Sequence, residues 1–128
     1  MKTAFIRSIV LAGAMLVGGA TFAVAADAPK EDSASVKKLI TSLVNSDYAS
    51  FVADGEVRFK ALKQEQFDSV AASVAPVLKQ GYEVTYLGTL NQKGYRMSLW
   101  KVSLKAGGDD LLASLSMRNG KVGGFFIR

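Results

Sequence analysis

From Tyr82 to the C-terminus the apolar residues recur at every second position, and this period restricts the fold more than any other feature of the sequence. A period of two sets alternate side chains on opposite faces of an extended chain. It holds over residues 82–90, 95–105, 110–118 and 121–127, which are parted by Asn91-Gln92-Lys93-Gly94, Ala106-Gly107-Gly108-Asp109 and Asn119-Gly120. Asn-Gly between extended runs favours a two-residue type I′ turn, because both central residues need positive φ. Strands joined by such short connections pair antiparallel with their sequence neighbours. A four-stranded antiparallel meander is the expectation.

The last run is apolar on both sides. Val122, Gly124 and Phe126 point one way and Gly123, Phe125 and Ile127 the other, so the strand is expected well inside the sheet or against a partner subunit. Its paired glycines allow a bend or bulge where side chains would obstruct curvature. In the second run Met97 and Leu99 oppose Trp100, Val102 and Leu104. Either a bulge near Leu99-Trp100 switches the inward phase, or both faces meet apolar material. The second alternative fits a homodimer through the sheet.

Before Tyr82 the period is helical. Val36, Leu39, Ile40, Leu43 and Val44 form one stripe, with Ser33 or Ser35 able to cap its start. Asp47 offers a cap to a shorter helix carrying Tyr48, Phe51 and Val52, which ends at Asp54-Gly55. Residues 56–59 read as a brief extended piece, Val57 and Phe59 on one side and Arg58 on the other. A third helix carries Phe67, Val70, Val74, Val77 and Leu78 on one face, with Ala71 and Ala75. Pro76 predicts a kink or late break there, and Gly81 a stop.

The first residues read as an export signal. Lys2 and Arg7 precede an uncharged stretch from Ser8 to Phe22, and the small-x-small triplet Ala23-Val24-Ala25 favours cleavage between Ala25 and Ala26. The division expected is a signal over 1–25, a flexible leader over 26–32 and a single α+β domain over 33–128. Removing 25 of 128 residues leaves 103, enough for one core, and with no Cys that core has no disulfide to help it. A periplasmic or secreted location follows, with no membrane contact once the signal is gone; the alternative is that the uncharged run, only slightly shorter than a spanning helix, is retained as a membrane anchor. The charges are scattered and the mature chain is near +3, with two of 16 Lys and Arg lost and all 11 Asp and Glu kept. No basic stripe marks a nucleic-acid partner.

The order of helices, short extended piece, helix and four-stranded meander resembles the nuclear transport factor two-like (cystatin-like fold) superfamily. SLVNSDYASFVADGEVRF, LKQEQFDSV, KQGYEV and GKVGGFFIR are similar to segments of its small exported bacterial members. The resemblance implies a cone, in which N-terminal helices pack against a curved antiparallel sheet and leave a pocket at the open end. Enzymatic members use a His/Asp or Tyr/Asp set in that pocket, and this chain has no His.

Without His or Cys, thiol chemistry, the usual nucleophile–base sets and almost every zinc or copper site are excluded. No cofactor or metal is expected, and no catalytic residue is assigned. Asp109-Asp110 suits a turn, and Arg96 and Arg118 suit edge protection or an anionic partner. Tyr82, Tyr86, Tyr95 and Trp100 are the candidates for lining a ligand pocket, since an aromatic with a polar tip suits one. The expected function is non-enzymatic binding of a small ligand or protein, possible as a homodimer through the sheet. Two alternatives stand beside it. One is an isomerase- or lyase-type pocket enzyme using Tyr86 or Tyr95 with Asp47 or Asp54; the other is a cystatin-like peptide binder or inhibitor using a sheet edge.

Overall fold

The computed structural model describes residues 21–23 and 28–128. A short strand β1 (Thr21–Ala23) is followed by helices α1 (Lys30–Val44), α2 (Tyr48–Val52), α3 (Val57–Lys60) and α4 (Gln64–Leu78). Strands β2 (Tyr82–Gln92), β3 (Tyr95–Leu104), β4 (Leu111–Arg118) and β5 (Lys121–Ile127) complete the chain. The architecture is α+β, with β2 to β5 forming the expected antiparallel meander. Strand β1 adds a parallel neighbour at Glu83 to Thr85. The expected cleavage point between Ala25 and Ala26 lies outside the described residues.

Helix α1 buries Val36, Leu39, Ile40 and Leu43 as its stripe requires. It begins earlier than expected, at Lys30, so part of the leader assigned to 26–32 is helix, and neither Ser33 nor Ser35 caps it. Pro29 stands at the cap position with φ −63°, the angle its ring enforces, and Glu31 and Asp32 in the first turn suit the positive end of the helix. Helix α2 starts as expected: the Asp47 carboxylate accepts from the Ser50 N–H at 3.1 Å and the Ser50 hydroxyl at 2.8 Å. These bonds hold the Asp47 carboxyl below its usual range.

Residues 56–59 are not extended. Val57 opens the single-turn helix α3 and is 88% exposed, while Phe59 is buried. A helical turn moves neighbouring side chains by about 100° instead of 180°, so Val57 and Phe59 do not share a face. Helix α4 runs through Pro76 without a break and ends at Leu78. Pro76 and Ala72 are both exposed, so water can reach the carbonyl that the missing N–H would have bonded. Its buried face is Phe67, Ala71, Val74, Ala75 and Leu78; Val70 is 40% exposed and turns away from it.

The inner face of the sheet packs Val84, Trp100, Val102, Ala113, Leu115 and Met117 against the stripes of α1 and α4. Two irregularities bend it. On β2 the register shifts between Tyr86 and Gly88, opposite Trp100 and Leu99. The bulge expected near Leu99-Trp100 thus sits on the neighbouring strand, and β3 keeps Ser98, Trp100 and Val102 inward throughout. The second shift lies where β5 passes Ser116 and Met117.

That second bulge corrects the reading of the C-terminus. Met117 pairs with Val122 and Ser116 with Gly124, so Gly123 is the extra residue. Val122 and Phe125 consequently both face the core, at 2% and 9% exposure, and Phe126 is 66% exposed. Strand β5 is an edge strand, not an interior one. Its outer side is covered near its start by the α2–α3 connection, where the Glu56 N–H donates to the Val122 carbonyl at 2.8 Å and the Val122 N–H to the Asp54 carbonyl at 3.0 Å. Beyond Val122 the edge borders a cleft. The turn before β5 has Asn119 at φ 53° and Gly120 at φ 75°, the positive angles the Asn-Gly pair implied.

Candidate functional site

The cleft lies between helices α2 to α4 and strand β5 and encloses about 700 Å³, within the range of about 300–1,000 Å³ typical of small-molecule sites. Its helical wall is made by Phe51, Phe59 and Phe67, with ring centroids 5.4 Å (Phe51–Phe59) and 5.0 Å (Phe51–Phe67) apart. Its sheet wall is residues 123–127 of β5, where Gly123 and Gly124 present backbone instead of side chains. Val70 and Phe126, both partly exposed, stand at the lip. Arg58 and Gln66 supply the polar side chains of the lining. The single turn of α3 accounts for this placement, because it buries Phe59 and leaves its neighbour Arg58 at the rim.

Arg58 also lines an adjoining hollow of about 450 Å³, together with Glu56, Lys60, Tyr95, Arg118 and Lys121. At its centre the Tyr95 hydroxyl donates to Glu56 Oε1 at 2.7 Å. Arg118 donates from Nε and Nη2 to Glu56 Oε2 at 3.0 and 2.9 Å. The same guanidinium sits 4.2 Å from the centre of the Tyr95 ring, a cation–π arrangement. Gly123 makes this possible, since a Cβ there would fall 2.3 Å from the Tyr95 ring and 3.2 Å from Glu56 Oε1.

The hydrogen bond from Tyr95 is the main cause holding the Glu56 carboxyl below its ordinary value of 4.5, with Arg118 adding to it. The same bond pushes the Tyr95 hydroxyl above 10. A carboxyl lowered on folding stabilises the fold above its unfolded value, and that contribution is lost as pH falls through the folded value. Glu56→Gln should therefore lower the melting temperature at pH 7. The gap from the parent should close as pH drops below 4.5; an equal gap at pH 3 and pH 7 would show that the charge is not what matters.

The four aromatic candidates are dispersed. Trp100 is fully buried in the core, with its ring 5.1 Å from that of Tyr86 and its Nε1–H donating to Ser98 Oγ at 2.9 Å. The Tyr86 hydroxyl pairs with Thr89. Tyr82 is half-buried, and burial raises its hydroxyl above 10. None of these three lines the cleft, whereas Tyr95 lines the adjoining hollow. The Tyr and Asp side chains considered for catalysis are not paired with each other: Asp47 caps α2, and Asp54 accepts from Lys38 at 2.7 Å.

Arg96 and Arg118, read as edge charges or anion binders, are both paired internally, Arg96 with Glu31 and Asp32 and Arg118 with Glu56. Asp109 and Asp110 lie exposed in the β3–β4 connection. Sequence reasoning passed over Arg58, Gln66 and Glu56. Reading 56–59 as extended hid the first, whereas a helical reading would have placed Arg58 beside the buried Phe59. Among the described residues no group of three or more acidic, His or Cys side chains could hold a metal ion. No described helix is long and apolar enough to cross a membrane.

No family model and no curated protein matches this chain in sequence. Among solved structures it is similar to an uncharacterized cystatin fold protein from Novosphingobium aromaticivorans, at 15% identity and a TM-score of 0.41, covering 74% of this chain and 95% of that one. It is also similar to TerC co-crystallized with polyporic acid, at 13% identity and a TM-score of 0.44, covering 77% of this chain and 91% of that one.

Proposed function

We propose that this chain is an exported, periplasmic, non-enzymatic binding domain of the nuclear transport factor two-like type, and that it holds a small apolar ligand between α2–α4 and β5. The observation that carries this reading is the composition of the cleft: five phenylalanines, aliphatic side chains and the bare backbone of the adjacent Gly123 and Gly124. Its lining contains no carboxylate, hydroxyl or amine among the described residues. Its polar side chains, a guanidinium and an amide, act as hydrogen-bond partners and not as general bases. The export reading draws its support from the charged start, apolar run and small-x-small end of the first 25 residues.

The uncharged dye N-phenyl-1-naphthylamine tests the reading. It should bind with saturable, one-to-one fluorescence enhancement. Val70→Trp, which fills the lip from a partly exposed helical position, should weaken binding about tenfold or more, the equivalent of about 1.4 kcal/mol, with the circular dichroism unchanged. Binding that is unsaturable, or indifferent to Val70→Trp, would remove the cleft from consideration.

A further inference from the structure

We infer that the ligand of this cleft is an amphipathic anion, with its apolar body among the phenylalanines and its carboxylate-type head on Arg58. The inference rests on the cleft reading and adds to it the chemistry of the head group. Arg58 is the cation that lines the cleft, and it also lines the hollow next to it. A ligand long enough to leave the aromatic end meets its guanidinium at the junction.

Two further features favour a negative head at that point. Among the described residues the hollow carries Arg58, Lys60, Arg118 and Lys121 against the single carboxylate Glu56, a local excess of three positive charges. Glu56 is already engaged, one oxygen by Tyr95 and the other by Arg118, at distances of 2.7 to 3.0 Å. Arg58 forms no ion pair among the described residues. Its planar fork can therefore take both oxygens of an incoming carboxylate, which is the arrangement in which guanidinium–carboxylate bonds are strongest. Gln66 lies on the same cleft, and its side-chain oxygen accepts from the Lys63 N–H at 3.3 Å. That bond orients the amide and leaves its NH₂ as a second donor for an oxygen-bearing head.

Decanoate and decanol share a hydrocarbon chain and differ in charge at pH 7.5, so calorimetric titration of the two separates head from body. The parent protein should bind decanoate about tenfold more tightly than decanol. Arg58→Gln should abolish that preference by weakening decanoate about tenfold more than it weakens decanol, and added salt should shrink the preference in the parent. Equal affinities in the parent, with decanol still bound, would overturn the anion assignment while the cleft reading stands. A preference for decanoate that survives Arg58→Gln would equally overturn it, by moving the head to Arg118 or the lysines. Failure of both compounds to bind would remove the cleft reading and this inference together.

Discussion

Replacing Trp100 by Ala should cost about 4–5 kcal/mol of folding stability, read as a large fall in the urea midpoint at unchanged slope. The indole is fully buried and packs against Tyr86. Truncation removes its contacts and leaves a void that a close-packed interior only partly collapses around. A second penalty follows from Ser98, also at 0% exposure, whose hydroxyl loses the indole donor. Trp100→Phe keeps most of the ring volume but not the donor and should cost less. Any fraction of Trp100→Ala that stays folded should bind decanol as the parent does, because Trp100 does not line the cleft. A loss below about 1 kcal/mol accompanied by weaker ligand binding would instead place the indole at a ligand site. With total stabilities of about 5–15 kcal/mol for domains of this size, the variant should be close to unfolding at 37 °C.

Arg96→Leu should be nearly as damaging, at about 3 kcal/mol. Arg96 Nε lies 3.2 Å from each oxygen of Asp32, and Nη2 bonds both Asp32 and, at 2.7 Å, Glu31. The hydrogen bonds to Asp32 and Glu31 hold the guanidinium well above its ordinary pKa. The Asp32 side chain is 0% exposed, so losing its partner leaves a carboxylate with neither water nor a counter-charge. The Arg96 side chain is itself 38% exposed, which lets water approach from one side and sets the cost at the low end of the range for broken buried pairs. Glu31 contributes less than about 1 kcal/mol, since both of its ends are solvated. The paired change Asp32→Leu with Arg96→Met should recover stability to within about 1 kcal/mol of the parent, because it removes the charge together with its partner. Urea midpoints of the two single variants and the double variant form a cycle. Additive losses in that cycle would show that the two groups do not act as a pair.

This ion pair shows where reading along the chain stops. Taken alone, Asp32 suits a flexible leader and Arg96 an exposed strand end. The two are 64 positions apart, and nothing local in either neighbourhood indicates the other. The fold fastens the first turn of α1 to β3 through them.

The edge position of β5 has a similar origin. Apolar residues on both sides of residues 121–127 suggest a covered interior strand, but among the described residues no strand pairs with the outer side of β5. Part of the cover comes from α2–α3, and the bulge at Gly123 turns Val122 and Phe125 to the same side. The exposed Phe126 and the residues around Gly123 then become one wall of the cleft.

The sequence by itself determined the elements with a strong local cause: the stripe of α1, the Asp47 cap of α2, the buried face of α4 apart from Val70 and Val77, and the antiparallel meander with its Asn119-Gly120 turn. Each follows from side-chain period or from a backbone angle that few residues adopt, and both are properties of adjacent residues. The tertiary structure alone decided which aromatics are core and which surround a space, that Arg96 and Arg118 are paired while Arg58 forms no ion pair among the described residues, and that β5 forms an edge. Those outcomes depend on distances between residues far apart in the chain, set by the bulges that bend the sheet and by the single turn of α3 that sends Phe59 inward and leaves Arg58 at the rim.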